Sequence, residues 1–257
     1  MGYRLLLGAL LVCAANSMTC TAQEKADAGA APFFEVATIK PSDPSAQSGT
    51  YFTVKGSHVL ARNVTLEDLI SLAYAVHPKQ IVDGPAWLET ERFDLDGVPN
   101  TEGKPNRAQM RLLFQRLLAD RFQLSFHHQK RELAVYTLTV DRSGPKMAVT
   151  NRTPTDGTNF SYAGSVILTV KNASMADFAD GMQDTFMDRP VVDQTELKGR
   201  YDFILRWTPT DSPAGNDANA PPDLYTAIRE QLGLKLAATK APVDALVIDR
   251  VEKPSPN

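Results

Sequence analysis

The chain has 257 residues, with 27 Lys and Arg against 30 Asp and Glu, a formal net charge of -3 at pH 7. That mildly acidic balance gives nucleic-acid binding, which wants a basic face, no support, and no nucleic-acid partner is expected. Hydrophobic residues make up 43% of the chain, enough to build a core, and the 2 cysteines are Cys13 and Cys20.

Both cysteines fall in a segment with the pattern of a secretory signal. Arg4 is the only charge ahead of the apolar run Leu5 to Ala15. That run is shorter than the ~20 residues a membrane-spanning helix needs. Cys20-Thr21-Ala22 supplies small residues for cleavage before Gln23. Residues 1–22 are therefore expected to be a signal peptide and 23–32 a flexible, Ala-rich tether. The mature chain is then secreted or periplasmic, loses one positive charge with Arg4, and has a net charge of -4. It has no cysteine left for disulfides, thiol catalysis or cysteine-based metal sites. A lipoprotein anchored through Cys20 is the alternative, although Ser17-Met18-Thr19 matches poorly the small and apolar residues usual before a lipidated cysteine. No later apolar run is long enough to span a membrane.

The elements follow in order. Phe33 to Lys40 alternates apolar and polar residues, a strand pattern. After a Ser/Pro/Gly loop, Tyr51 to Val54 and His58 to Ala61 form a hairpin turning on Gly56. Thr65 is a helix N-cap with Asp68 three residues on, and Leu66, Leu69, Ile70 and Ala73 mark the apolar face. A short strand Ile81 to Asp83, a loop with Pro85 and Trp87, and a strand Arg92 to Leu95 lead into a helix, Asn106 to Arg121. Its core face is Met110, Leu113, Phe114, Leu117 and Leu118. Phe122 to His127 and Leu133 to Val140 close the half as two hairpin strands.

Much of this returns. Asn63-Val64-Thr65-Leu66-Glu67-Asp68-Leu69 is echoed by Asn172-Ala173-Ser174-Met175-Ala176-Asp177-Phe178, and Ile81-Val82-Asp83 by Val191-Val192-Asp193. Arg92-Phe93-Asp94-Leu95 is echoed by Arg200-Tyr201-Asp202-Phe203, and Val135 to Arg142 by Val243 to Arg250. The second set adds a hairpin of Phe160 to Ala163 with Val166 to Val170, a helix capped by Ser174, and a helix Pro222 to Leu232 stopped by Gly233. The strands Leu234 to Ala237 and Val243 to Ile248 close it. The expected fold is α+β: a tandem duplication of a β-β-α-β-β-α-β-β module, with small mixed sheets packed on two helices. The modules are 33–147 and 159–254, joined by a linker at 148–158. The first has one additional N-terminal strand. The Pro/Ala/Asp/Asn-rich stretch 208–222 is expected to be a mobile insert.

Catalytic chemistry leaves no mark. There is no Gly-x-Ser-x-Gly, Gly-x-Gly-x-x-Gly or Walker loop, so no cofactor is expected. His127-His128 is the only histidine pair, and neighbours on a strand point to opposite faces, so a shared metal is not expected. Asp83 with Asp94 and Asp193 with Asp202 are carboxylate pairs of the kind a glycosidase uses. They recur beside Arg92 and Arg200, which favours ion pairs or turn caps. Candidate ligand- or partner-binding residues are Trp87, in a proline-containing loop, and His127, His128 and Arg131 near one hairpin tip.

The phrases Phe33-Phe34-Glu35-Val36-Ala37-Thr38-Ile39-Lys40-Pro41, Leu117-Leu118-Ala119-Asp120-Arg121-Phe122 and Ala241-Pro242-Val243 resemble an uncharacterised family of secreted proteins abundant in soil Acidobacteria, a domain of unknown function. Related domains stand behind the membrane metalloprotease domain of antibiotic-sensor receptors, so the resemblance implies sensing or binding. Each half is also similar to the short N-terminal domain of secretins and TonB-dependent receptors, through Val192 to Gly199 with the strand after it and Leu117 to Leu124. That domain type works by protein–protein contact in the periplasm, an analogy of fold.

The expected function is a secreted, non-enzymatic binding module with an envelope protein or peptide as partner. The edges Gln123 to His127 and Leu234 to Ala237 are expected to accept a partner strand. The alternative is an extracytoplasmic hydrolase acting on envelope or environmental polymers.

Overall fold

A computed structural model describes residues 31–43, 45, 49, 51–163, 167–209 and 221–254. The expected signal and nearly all of the tether, the Gly164-Ser165 turn and most of the 208–222 insert lie outside the described residues.

Three small sheets carry the fold. The first has the order β1 (Phe34–Pro41), β5 (Arg92–Pro99), β3 (His58–Thr65), β2 (Tyr51–Lys55), all antiparallel. Helices α1 (Leu66–Tyr74) and α3 (Arg107–Phe122) bury one face each with it. Both helices start on capping boxes. The Asp68 N–H donates to Thr65 Oγ1 at 3.0 Å while the Thr65 N–H donates to Asp68 Oδ2 at 2.8 Å. Asn106 and Gln109 repeat the exchange on α3. Such caps stabilise a helix start by about 1 kcal/mol. A single turn, α2 (Trp87–Thr90), stands where the sequence pattern suggests only loop.

The third sheet repeats the first in strand order: β7 (Ala148–Val149), β11 (Tyr201–Arg206), β9 (Ile167–Ala173), β8 (Asn159–Ala163). Helix α4 (Met175–Thr185), capped by Ser174 and Asp177, and α5 (Leu224–Ala227), continued as a π-turn to Leu232, pack with it. Gly233, at φ 66°, ends that helix. The strand β7 occupies the place of β1 and lies at the start of the stretch that the composition marks as linker. So the additional N-terminal strand of the first half has a short counterpart.

The same joint recurs in both sheets. Asn63 and Asn172 sit at φ 53° and 57°, each at an irregularity of the strand register. The Asn63 N–H donates to Asp94 Oδ1 at 3.1 Å, and the Asn172 N–H to Asp202 Oδ1 at 2.8 Å. Arg92 donates to the Asn63 carbonyl at 2.7 Å, and Arg200 to the Asn172 carbonyl at 2.6 Å. Asn is among the residues that tolerate this left-handed backbone. These recurring aspartates hold backbone in place. Asp193 likewise caps its own turn through the Thr195 N–H, and Asp83 pairs with Arg131.

Between these sheets runs the second, of order β10 (Val191–Asp193), β6 (Ser125–Val140), β12 (Leu234–Arg250), β4 (Ile81–Val82). It corrects the expected terminal hairpins. Phe122 to His127 and Leu133 to Val140 do not fold back on each other. Phe122 ends α3 instead, and Ser125 to His127 and Leu133 to Val140 are the two ends of a single 16-residue strand, β6, which pairs antiparallel with the 17-residue β12. The reason is local. Gln129-Lys130-Arg131-Glu132 contains no Gly, Pro, Asn or Asp to make a turn.

The consequence is an exchange. The early part of β6 pairs with the late part of β12, and the late part of β6 with the early part of β12. Leu246 and Ile248, from the second half of the sequence, are buried in the first sheet's core with Phe93 and Phe122. Tyr136 and Leu138, from the first half, are buried in the third sheet's core with Phe178 and Phe203. The expected binding edges change accordingly. Gln123 is the left-handed C-cap of α3, while Ser125 to His127 and Leu234 to Ala237 each have one side taken inside the ribbon.

Candidate functional site

The residues suggested by the sequence do not converge. His127 and His128 point to opposite faces of β6, each holding its own aspartate. His127 Nδ1 is 2.8 Å from Asp249 Oδ1, and His128 Nδ1 is 2.8 Å from Asp244 Oδ2. Arg131 reaches Asp83 at 3.0 Å. Trp87 packs at the margin of the first core, with Lys253 Nζ 5.7 Å from its ring centre. Among the described residues no contact joins Trp87 to the histidines, and no cluster of three or more His, Cys, Asp or Glu has metal-binding geometry.

A cleft elsewhere does gather polar groups. It has a volume of about 540 Å³ and lies between α3 of the first half and α4 and β8 of the second. Arg107 and Arg111 stand one turn apart near the start of α3, so they share a helix face. Asp177, Asp180 and Asp184 follow at helical spacing along α4 and face them. Phe160 and Tyr162, two residues apart on β8, form the aromatic wall. Gly181 lets helix and wall approach, because a Cβ there would stand 3.0 Å from the Phe160 ring.

Two of the three aspartates are engaged. Arg107 Nη2 donates to Asp184 Oδ2 at 2.9 Å. Arg200 donates to Asp177 Oδ2 at 2.8 Å, alongside the Ser174 N–H. Burial pushes the Asp177 carboxyl up, but the Ser174 cap, Arg200 and Thr158 more than offset it and hold it below the usual carboxylate range. Asp180 is different. It has no hydrogen bond or ion pair among the described residues. Asp180 is exposed at the rim of the cleft, and partial desolvation there, then repulsion from Asp184 and Asp177, pushes its carboxyl up, against the opposing pull of Arg111 and Arg107. Facing it, Arg111 keeps its Nε buried with no hydrogen-bond partner.

A second cavity of about 410 Å³ continues the first, sharing Arg107, Arg111 and Asp184. Its other walls mix Phe52, Leu72, Val76 and Met187 with Asp68, Ser71, His77 and Gln183. Ser71 Oγ is also buried without a partner. Burial holds the His77 imidazole below its ordinary range, and its Nδ1 accepts the Lys79 N–H at 3.1 Å. The two cavities meet at Arg107, Arg111 and Asp184 and together make a groove, charged on the α4 side and of mixed lining on the α1 side. Unsatisfied buried donors are rare in native proteins and mark places where a ligand or water completes the bonding.

Sequence reasoning missed this groove. The arginine pair at i, i+4 and the aspartates at i, i+3, i+7 were visible as charged helix faces. A charged helix face is ordinarily solvated, and only the tertiary fold sets these two across one cleft, joined by the Arg107–Asp184 contact.

The fold and groove define an α+β chain of small sheets and short helices with a polar cleft between its halves. No described helix is long and apolar enough to cross a membrane. Residues 67–251 match the model of a family described as "Protein of unknown function (DUF3738)", and the chain belongs to that family. No match was found among curated proteins or solved structures.

Proposed function

We propose that this chain is a secreted binding protein, built by tandem duplication of one module, that takes a peptide segment of an envelope protein into the groove between its halves. The observation that carries the reading is the unpaired Arg111 and Asp180 facing one cleft. A guanidinium only donates and an ionised carboxylate only accepts, so together they complement a ligand offering both. Every peptide unit carries one N–H and one C=O. Phe52, Leu72, Val76 and Met187 in the second cavity suit an apolar side chain of the same segment. The duplication is supported by the matching strand orders, the paired Asn–Asp–Arg joints and the two Ser/Thr–Asp caps. Secretion rests on the signal pattern of residues 1–22.

Panning a random peptide library against the immobilised protein tests the assignment. Recovered peptides are expected to bind Asp180→Asn and Arg111→Gln about tenfold or more weakly than wild type. Failure to enrich any peptide, or equal binding by both variants, overturns it.

A second reading has one observation in its favour. A carboxyl raised by its surroundings, beside two other carboxylates in a cleft, is how a general acid is prepared. Turnover of a glycan, peptide or ester that disappears in Asp180→Asn would make the protein a hydrolase instead.

A further inference from the structure

One wall of the groove is the edge strand of a sheet. Backbone groups alternate along a strand, which fixes the residues that point out of the sheet. In the third sheet, the Thr150 N–H donates to the Arg200 carbonyl at 2.9 Å from the β7 side. Further along β11, the Gln231 side chain holds both backbone groups of Arg206, at 3.0 and 2.7 Å. Even-numbered residues of β11 therefore face away from β9, while Phe203 and Leu205 bond to Val170 and Leu168. That leaves Ile167, Thr169 and Lys171 to bond to Ala163, Ser161 and Asn159 of β8. Phe160 and Tyr162 consequently turn their N–H and C=O groups outward. Among the described residues no backbone group from elsewhere bonds to these four.

The edges of the flanking sheets differ in protection. The outward Ala37 carbonyl of β1 accepts from Arg121 at 3.2 Å, and β1 carries Glu35, Lys40 and Pro41. Charges, proline and capped carbonyls are the usual guards of a sheet edge. β2 ends in Lys55, and its Phe52 lines the second cavity, which Asp180 does not line. The five residues of β8, Asn159-Phe160-Ser161-Tyr162-Ala163, include no charge and no proline, and all but Phe160 are exposed.

The chemistry beside this edge suits an added strand. Phe160 and Tyr162 line the cleft, and Gly181 lies against the Phe160 ring. A strand added to β8 sets the side chain opposite Phe160 on the same face, next to Gly181 and Asp180. The cleft lining holds two arginines and three aspartates, an excess of one negative charge. The alternate carbonyls of an added strand point away from β8, across the cleft toward α3, where the buried Nε–H of Arg111 lacks an acceptor. We infer that the ligand binds as an extended strand on the outer edge of β8, with a basic side chain opposite Phe160 that meets Asp180. This rests on the peptide-binding role of the groove and specifies how the peptide is held. Phe160 and Tyr162 offer two donors and two acceptors, so pairing forms up to about four backbone bonds.

Amide exchange followed by NMR tests this. In the protein alone, the Phe160 and Tyr162 amides are expected to exchange fast and the Ser161 amide slowly. Peptides enriched from the random library are expected to share a basic residue. Adding one of them should slow exchange at Phe160 and Tyr162 about tenfold or more and leave Ser161 unchanged. Single N-methylation along that peptide should weaken binding about tenfold at alternate positions. Replacing its basic residue by alanine should weaken binding to wild type, and far less to Asp180→Asn. A peptide that depends on Asp180 and Arg111 yet leaves both amides fast, or tolerates N-methylation throughout, overturns strand addition while the groove remains its site. If no peptide is enriched, both conclusions fall. Without peptide, exchange at the two amides that slows with protein concentration would give the edge to a second copy and also overturn the proposal.

Discussion

The ribbon and the groove are the two charged regions between the halves, and they treat charge in opposite ways. On the ribbon, His127, His128 and Arg131 each have an aspartate within 3.0 Å. In the groove, Asp180 and the Nε of Arg111 have no partner among the described residues. A paired surface charge is part of the fold and contributes little, because solvent screens it. The buried Nε of Arg111 is held without a partner at a cost to stability, which a binding partner offsets. The chemically suggestive residues of the sequence lie in the paired set, and the candidate site lies in the other.

The widest separation between the regions is expected in the apolar support of the ribbon. Leu246→Ala and Leu138→Ala each remove a fully buried side chain and should cost about 2–5 kcal/mol. Leu246→Ala should loosen amide protection first around Phe93 and Phe122, and Leu138→Ala around Phe178 and Phe203. Loss of protection in the same sequence half as each substitution would contradict the exchange of strand ends.

A smaller effect is expected where the two kinds of charge meet. Arg200 ties Asn172, Asp177 and Thr158 together at the edge of the groove. Arg200→Ala should cost about 2–3 kcal/mol by denaturant unfolding. It should also move the acid limb. Asp177 has a folded-state pKa below its unfolded value. Its contribution is therefore present above the unfolded pKa and lost as pH falls through the folded one. Without Arg200 that loss should begin at higher pH. An acid limb unchanged by the substitution would remove Arg200 from the account.

The smallest effect has the opposite sign. Asp180 has a folded-state pKa raised above its unfolded value, so its ionised form disfavours the folded state. The penalty is present at neutral pH and relieved as pH falls through the raised pKa. Solvent screens this exposed carboxylate, so Asp180→Asn should raise Tm at pH 7 by no more than about 1 °C while weakening peptide binding. His127→Ala should change stability by less than about 0.5 kcal/mol and leave binding alone. A destabilised Asp180→Asn would mean that Asp180 is structural after all.

Local features were the legible part of this protein. The Thr65–Asp68 and Ser174–Asp177 caps, the Gly233 stop and the recurring Asn, Asp and Arg positions all appear as their sequence patterns suggest. These depend on residues within a few positions of one another, where chain geometry leaves few options. The turn aspartates could be assigned to structure for the same reason.

The pairing of long strands was not legible in that way. A strand of 16 residues without a turn signal shows that it does not double back, but not which segment it meets. The groove was hidden more deeply, since Arg111 and Asp180 are 69 positions apart and each looks like part of a solvated helix face. By itself the sequence determined the helix caps, the repeated joints and most of the short elements, because those interactions are local, while it divided the two long strands into hairpins. Tertiary structure alone decided that β6 and β12 exchange ends between two cores. It also decided that α3 and α4 turn unpaired opposite charges into one groove, because both depend on contacts between distant parts of the chain.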